Sequence, residues 1–140
     1  NSTNLGAFTG FGAILLTATE TVKSAIQKVT DFLGGLRVVE VTGITTATAV
    51  DAVPVAEASA CKWIVEAFEE ATPANKQAIE VYGLNNGTLV DDTVYAKLKV
   101  GSNFNLSVSV DISGGNMRLM VSSSTAGVTV RARRIQVTNI

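Results

Sequence analysis

Histidine is absent from this chain, and cysteine occurs once, at Cys61. The first absence removes Ser-His-Asp and Cys-His nucleophilic catalysis, and with them almost every protein zinc site. The second removes any intrachain disulfide, so a buried apolar core must hold the fold. Cys61 itself stands in an apolar stretch and reads as a small core residue rather than a reactive thiol. Charge is scarce too: 16% of residues are charged and the formal net charge is -1. That is not the basic footprint of a nucleic-acid binder. No apolar run approaches the roughly 18 residues of a membrane helix. The apolar stretch GAFTGFGAILLTA near the start lacks the basic flank of a signal peptide, so none is expected.

What is present points to one packed domain. The 140 residues are 46% hydrophobic, which is enough for a core and speaks against disorder. Mean hydropathy is +0.32 and the pI is about 5.4. A small, apolar, nearly neutral protein tends to associate, which hints at a partner surface.

The clearest pattern is alternation near the C-terminus. Phe104, Leu106, Val108, Val110 and Ile112 point one way, and Asn103, Asn105, Ser107, Ser109 and Asp111 the other. That is a half-buried strand. Gly114-Gly115-Asn116 supplies a tight turn, after which Met117, Leu119 and Val121 resume the apolar face. Ser122 to Gly127 makes a looser turn, and Val128, Val130 and Ala132 begin a last strand that ends in Ile135 and Val137. Such strands need a second sheet to cover their apolar face. Upstream, Ala13 to Thr17 is a candidate short strand, Leu36 to Val41 reads as a strand, Gly43 to Thr48 as extended chain, and Asp51 to Pro54 as a turn or sheet corner. Thr72 to Asn75 is a turn, and Gln77, Ile79 and Val81 form one face of the next strand. Asn86-Gly87 suits a two-residue hairpin turn. In the returning strand, Val94, Ala96, Leu98 and Val100 take one side and Lys97 and Lys99 the other.

Two stretches read ambiguously. Thr19 to Leu33 is a short helix or an irregular segment: Val22, Ile26, Val29 and Leu33 have helical spacing, but threonines weaken a helix. Glu57 to Ala71 is rich in Ala and Glu, so propensity favours a helix.

The segment DISGGNMRLMVSSSTAGVTVRARR resembles one near the C-terminus of many tailed-phage virion structural proteins. Asp111 to Asn116, Arg118 and Leu119 carry the likeness. Upstream, Val50-Asp51, Lys62-Trp63 and Asn86-Gly87-Thr88 fit similar features, so it spans about residues 48–137. The resemblance implies an all-β, jelly-roll-like antiparallel sandwich of about seven or eight strands over residues 36–140. Residues 1–35 would then form an irregular N-terminal arm and connecting segment. It also implies that Ala60 to Phe68 is a strand with Trp63, Val65 and Ala67 inward, and that reading is preferred over the helix. An immunoglobulin-like sandwich is the runner-up; it would normally set its Trp against a disulfide this chain cannot make.

Among such proteins the short chain looks most like a head decoration, or cement, protein. That implies a capsid-surface location after assembly in the host cytoplasm. The partners implied are the major capsid protein and other copies of this chain, as a homodimer or higher homo-oligomer; neither nucleic acid nor membrane is expected. The alternative is a non-catalytic tail or adhesin module that grips surface carbohydrate, with Trp63, Tyr82 and Tyr95 as the candidate aromatic platform.

Candidate contact residues are of two kinds. Leu5, Phe8 and Phe11 are set in a Gly-rich start that is either a frayed terminus or an arm lying on a neighbour. Arg131, Arg133 and Arg134 form the one basic cluster. Arg131 and Arg133 share a strand face, and Arg134 breaks the alternation, which suggests a bulge. The cluster is a partner contact or a solvated face paired with Asp111 across the sheet. Glu66, Glu69, Glu70, Asp91 and Asp92 are the carboxylates from which a glycosidase pair or a calcium site would be drawn. They lack any mark of a pocket and the Asp-x-Asp-x-Asp-Gly loop, so no catalytic residue, cofactor or metal is expected.

Overall fold

The structure is a computed structural model; it describes residues 22, 24–26, 28–29, 37–124 and 127–139. Eight strands follow one another: β1 (Val38–Ile44), β2 (Thr48–Pro54), β3 (Ala58–Glu69), β4 (Lys76–Asn85), β5 (Val90–Val100), β6 (Leu106–Ser113), β7 (Asn116–Ser123) and β8 (Val128–Thr138). They form a five-stranded sheet in the order β1-β8-β3-β4-β5 and a three-stranded sheet in the order β2-β7-β6. Every pairing is antiparallel. The sandwich expected from the sequence is therefore present. β1 pairs with β8 and β2 with β7, the nested wrapping of a jelly roll. β3, β4 and β5 then run as a meander within one sheet, and β6 pairs with β7 in the other.

Glu57 to Ala71 shows why helix propensity lost. Between β8 and β4, β3 is paired on both sides, and Trp63, Val65 and Ala67 are fully buried. Burying those side chains in the sandwich outweighs a propensity difference of at most about 0.7 kcal/mol per residue. In the ambiguous stretch 19–33, the described residues are helical. Residues 1–21 of the expected arm, with its candidate strand over 13–17, lie outside the described residues.

The core is the meeting of the two inner faces. Val53, Met117, Leu119 and Val121 from one sheet pack with Trp63, Val65, Val81, Val128 and Val130 from the other. Asp51 of β2 stands at the edge of this core. Its Oδ2 accepts hydrogen bonds from Trp63 Nε1 at 2.8 Å and from Arg134 Nη1 at 2.7 Å. It thereby ties the three-stranded sheet to β3 and β8 of the other. Asn85, also buried, donates to the carbonyl oxygens of Ala58 and Ser59. At Gly83 the two sheets are in close contact: an added Cβ would lie 3.1 Å from Val110 of the other sheet, and 3.3 Å from Trp63 of its own.

Three local expectations are corrected. Asp51 to Pro54 is strand, because β2 runs through Pro54; the chain turns afterwards, where Glu57 N donates to Pro54 O. Pro54 is tolerated as the last residue of a strand at the sheet edge. The Asn86-Gly87 connection is not a two-residue turn. Asn85 pairs with Val90, which leaves four residues between them. Asn86 Oδ1 accepts from the backbone nitrogens of Thr88 and Leu89, so a side chain closes the loop and only Gly87 needs positive φ. Finally, β8 keeps an unbroken register with β3 from Val137 to Val128, so there is no bulge at Arg134. Arg134 faces inward by simple alternation, and Asp51 meets its charge.

Two substitutions test this packing. Asp51→Ala leaves the Arg134 guanidinium and the Trp63 N–H without their acceptor and should cost about 3 kcal/mol in denaturant unfolding. A loss below about 1 kcal/mol would remove Asp51 from its linking role. Gly83→Val should cost about 1–3 kcal/mol by overpacking against Val110, and an unchanged melting temperature would show that the sheets are not in contact there.

Candidate functional site

The basic cluster is divided between two faces. Arg131 and Arg133 lie on the outer face of the five-stranded sheet, while Arg134 faces the interior. Arg131 does not pair with Asp111. Its Nε lies 2.5 Å from Glu40, its Nη1 lies 3.7 Å from Glu66, and its guanidinium rests 5.1 Å from the Phe68 ring centre. Asp111 is held by Arg118 of β7 through two hydrogen bonds of 2.8 and 2.6 Å. Arg133 is exposed and has no ion partner among the described residues. Leu5, Phe8 and Phe11 lie outside the described residues.

Four of the five candidate carboxylates have a partner elsewhere in the fold, and Asp91 accepts, among the described residues, only from the adjacent Asp92 N. Glu66 lies 3.9 Å from Lys76 as well as near Arg131. Glu69 accepts from Asn75 Nδ2 at 2.7 Å. Glu70 Oε1 accepts from Gly43 N and from Thr129 Oγ1, both at 2.7 Å. Those two bonds hold its carboxyl below the ordinary value of 4.5. Asp92 Oδ2 accepts from Val110 N at 2.8 Å, linking β5 to β6. No group of three or more metal-ligating side chains occurs among the described residues, and no helix among them is long and apolar enough to cross a membrane. Cys61 is 1% exposed, and burial pushes its thiol up to about 11.

Trp63 is fully buried and cannot serve as a sugar platform. Tyr82 and Tyr95 are partly exposed on the outer face of the five-stranded sheet, where they stand with Val38, Ile64, Leu84, Leu98 and Ile135. Lys62 and Glu80 pair at 2.8 Å within that face. It is a mixed surface of exposed apolar side chains and charges that are mostly matched in place.

A surface cleft of about 290 Å³ lies elsewhere, where the end of β5 passes the start of β6. β5 contributes Lys97 and Lys99. Asn103, Asn105 and Ser107 come from the connection into β6 and from β6 itself, and Ser122 and Ser124 from the end of β7. Phe104, 4% exposed, and Leu106 form its apolar part. Beneath it, the buried Gln77 donates through Nε2 to Phe104 O, which fixes the wall. Gln77 Oε1 is a buried side-chain atom with no partner among the described residues.

Alternation along the sequence puts the two lysines on the polar side of β5, opposite Val94. The structure corrects this. Ala78 pairs with Leu98 and Glu80 with Tyr95, so Ile79 alone opposes Ala96 and Lys97. This bulge reverses the alternation: Val94 and Lys99 lie opposite the inward residues Val81 and Gln77, whereas Leu98 turns outward. The one signal that could have revealed it is Ala96, a non-glycine residue at φ 50°, and that angle is invisible in sequence.

No protein-family model matches this chain, and no curated protein matches it. Among solved structures it is similar to the Acinetobacter phage vB_ApiP_P1 tailspike protein, at 13% identity and a TM-score of 0.49, over 73% of this chain and 22% of that one. The tailspike protein gp49 of Acinetobacter baumannii bacteriophage Fri1, a capsular polysaccharide depolymerase, gives 16% identity and 0.40 over 68% and 16%. The tailspike of Acinetobacter baumannii phage AM24 gives 9% and 0.44 over 74% and 26%. The chain thus spans about a quarter or less of the length of these proteins. At such scores the likenesses decide nothing about its activity.

Glu70 gives a pH test. Its carboxyl is held below 4.5 in the folded chain, so its contribution to stability is complete above that value and is lost as pH falls through the folded value. Urea midpoints measured from pH 6 to pH 2 should fall on acidification, and Glu70→Gln should flatten that fall. An identical acid limb in the variant would show that Glu70 is not among the groups responsible.

Proposed function

We propose that this chain is a non-catalytic module of a phage particle, borne on the tail side, that grips surface carbohydrate in the cleft between β5 and β6. The composition of that cleft carries the reading. Its polar wall consists of amide, hydroxyl and ammonium groups, the donors and acceptors that match vicinal sugar hydroxyls. Its setting in a phage particle rests on the resemblance of Asp111 to Arg134, not on the tailspike likenesses. The non-catalytic part rests on the carboxylates: Glu66, Glu69, Glu70 and Asp92 each hold a structural partner.

Bridging of major-capsid subunits is the second reading. The observation that favours it is the outer face of the five-stranded sheet, where Leu84, Leu98 and Ile135 are each more than half exposed. Large apolar side chains left exposed on one sheet face favour a protein contact. In that role the chain would copurify with intact heads.

Immobilised bacterial surface polysaccharides should retain the chain without releasing reducing ends. Ser107→Trp, which fills the cleft from an exposed position, should abolish retention while leaving the circular dichroism spectrum unchanged. Failure to bind any polysaccharide, or undiminished binding by Ser107→Trp, would overturn the carbohydrate reading.

A further inference from the structure

We infer that the cleft selects carbohydrate bearing a carboxylate, such as a hexuronic acid residue, and that the bulge at Ala96 is what gives it that selectivity. This deepens the carbohydrate reading and rests on it.

Three observations lead here. First, Ala96 sits at φ 50°, a left-handed conformation that costs an alanine free energy a glycine would not lose. Strain of this sort persists where the surrounding structure holds it and gathers at ligand sites, and bulges often re-aim side chains. Second, the consequence of this bulge is specific. Regular alternation from Val94 would turn Ala96, Leu98 and Val100 inward. With the extra residue, Lys97 and Lys99 take that side and line the cleft, while Leu98 faces out and is 67% exposed. The chain thus exposes a leucine and strains an alanine to place two ammonium groups on the cleft wall. Third, neither lysine has an ion partner among the described residues, and no carboxylate lines the cleft. Every other lysine on the strands, Lys62 and Lys76, is matched by a glutamate.

The rest of the lining decides between anions. Phosphate and nucleic acid are favoured by the guanidinium fork and by exposed aromatic rings for stacking. Here there is no arginine, and Phe104 is 4% exposed. Asn103, Asn105, Ser107 and Ser122 instead surround the lysines with groups that pair with hydroxyls. At about 290 Å³ the cleft is at the small end of ligand pockets, which span about 300–1,000 Å³. It suits one charged sugar unit of a longer polymer better than an extended chain.

The test titrates the full chain with oligogalacturonate, with the same oligosaccharide after carboxyl reduction, and with inorganic phosphate, following the backbone amide signals of Ser107 and Ser122. Oligogalacturonate should shift them, and carboxyl reduction should weaken binding at least about tenfold. Lys97→Met/Lys99→Met should lose affinity for the acidic oligosaccharide by a similar factor and leave affinity for the reduced one unchanged. Equal binding of acidic and reduced oligosaccharides would overturn the acidic selectivity and leave the carbohydrate reading standing. Phosphate that shifts the same signals and displaces oligogalacturonate, with no response to the reduced sugar, would make this a simple anion site and overturn the inference. No response to either oligosaccharide would remove both readings.

Discussion

Apolar burial holds the two sheets together but cannot by itself say how they align, because it is non-directional. Asp51 supplies the direction. One carboxylate oxygen on β2 takes the indole N–H of Trp63 and the guanidinium of Arg134, and so fixes the three-stranded sheet against the centre of the five-stranded one. Arg134 is largely buried, with 20% of its side chain exposed, and would be costly there without a counter-charge. The largest core side chain, the only arginine turned inward on β8, and the acid between them therefore stand or fall together.

Around that fixed centre, the short sheet leaves part of the long one uncovered. β6 reaches toward β5 through the bond from Val110 N to Asp92, yet every residue from Asp91 to Val100 remains exposed. An exposed edge strand of this length is an aggregation hazard unless something blunts it. The bulge at Ala96 and the two lysines do so, and they also shape the cleft wall. One irregularity thus protects an edge and shapes the cleft wall.

The two surfaces of the chain have different characters. The outer face of the five-stranded sheet mixes exposed apolar side chains with charges that are mostly paired in place, as at Lys62–Glu80 and Arg131–Glu40. The cleft is polar, and its lysines are unpaired among the described residues. A protein partner suits the first, and a small hydrated ligand the second.

Much of the fold was legible in the sequence because strand alternation is a local property. Phe104 to Ile112, the Gly114-Gly115 turn and the Gln77–Ile79–Val81 face each depend only on neighbours along the chain. The absence of histidine likewise excludes whole classes of chemistry on composition alone. Where local propensity was ambiguous, as from Glu57 to Ala71, the resemblance gave the strand, and burial of Trp63 between two sheets explains it. What the sequence could not decide was phase and facing. Arg134 reads as part of a basic cluster until β3 pairs along the whole of β8 and turns it toward Asp51, 83 residues away. Lys97 and Lys99 read as the solvent side of a regular strand until β4 forces a bulge that reverses it. Both outcomes depend on hydrogen-bond partners distant in sequence. A side chain's neighbours along the chain set its period, but only the strand beside it sets which way that period points.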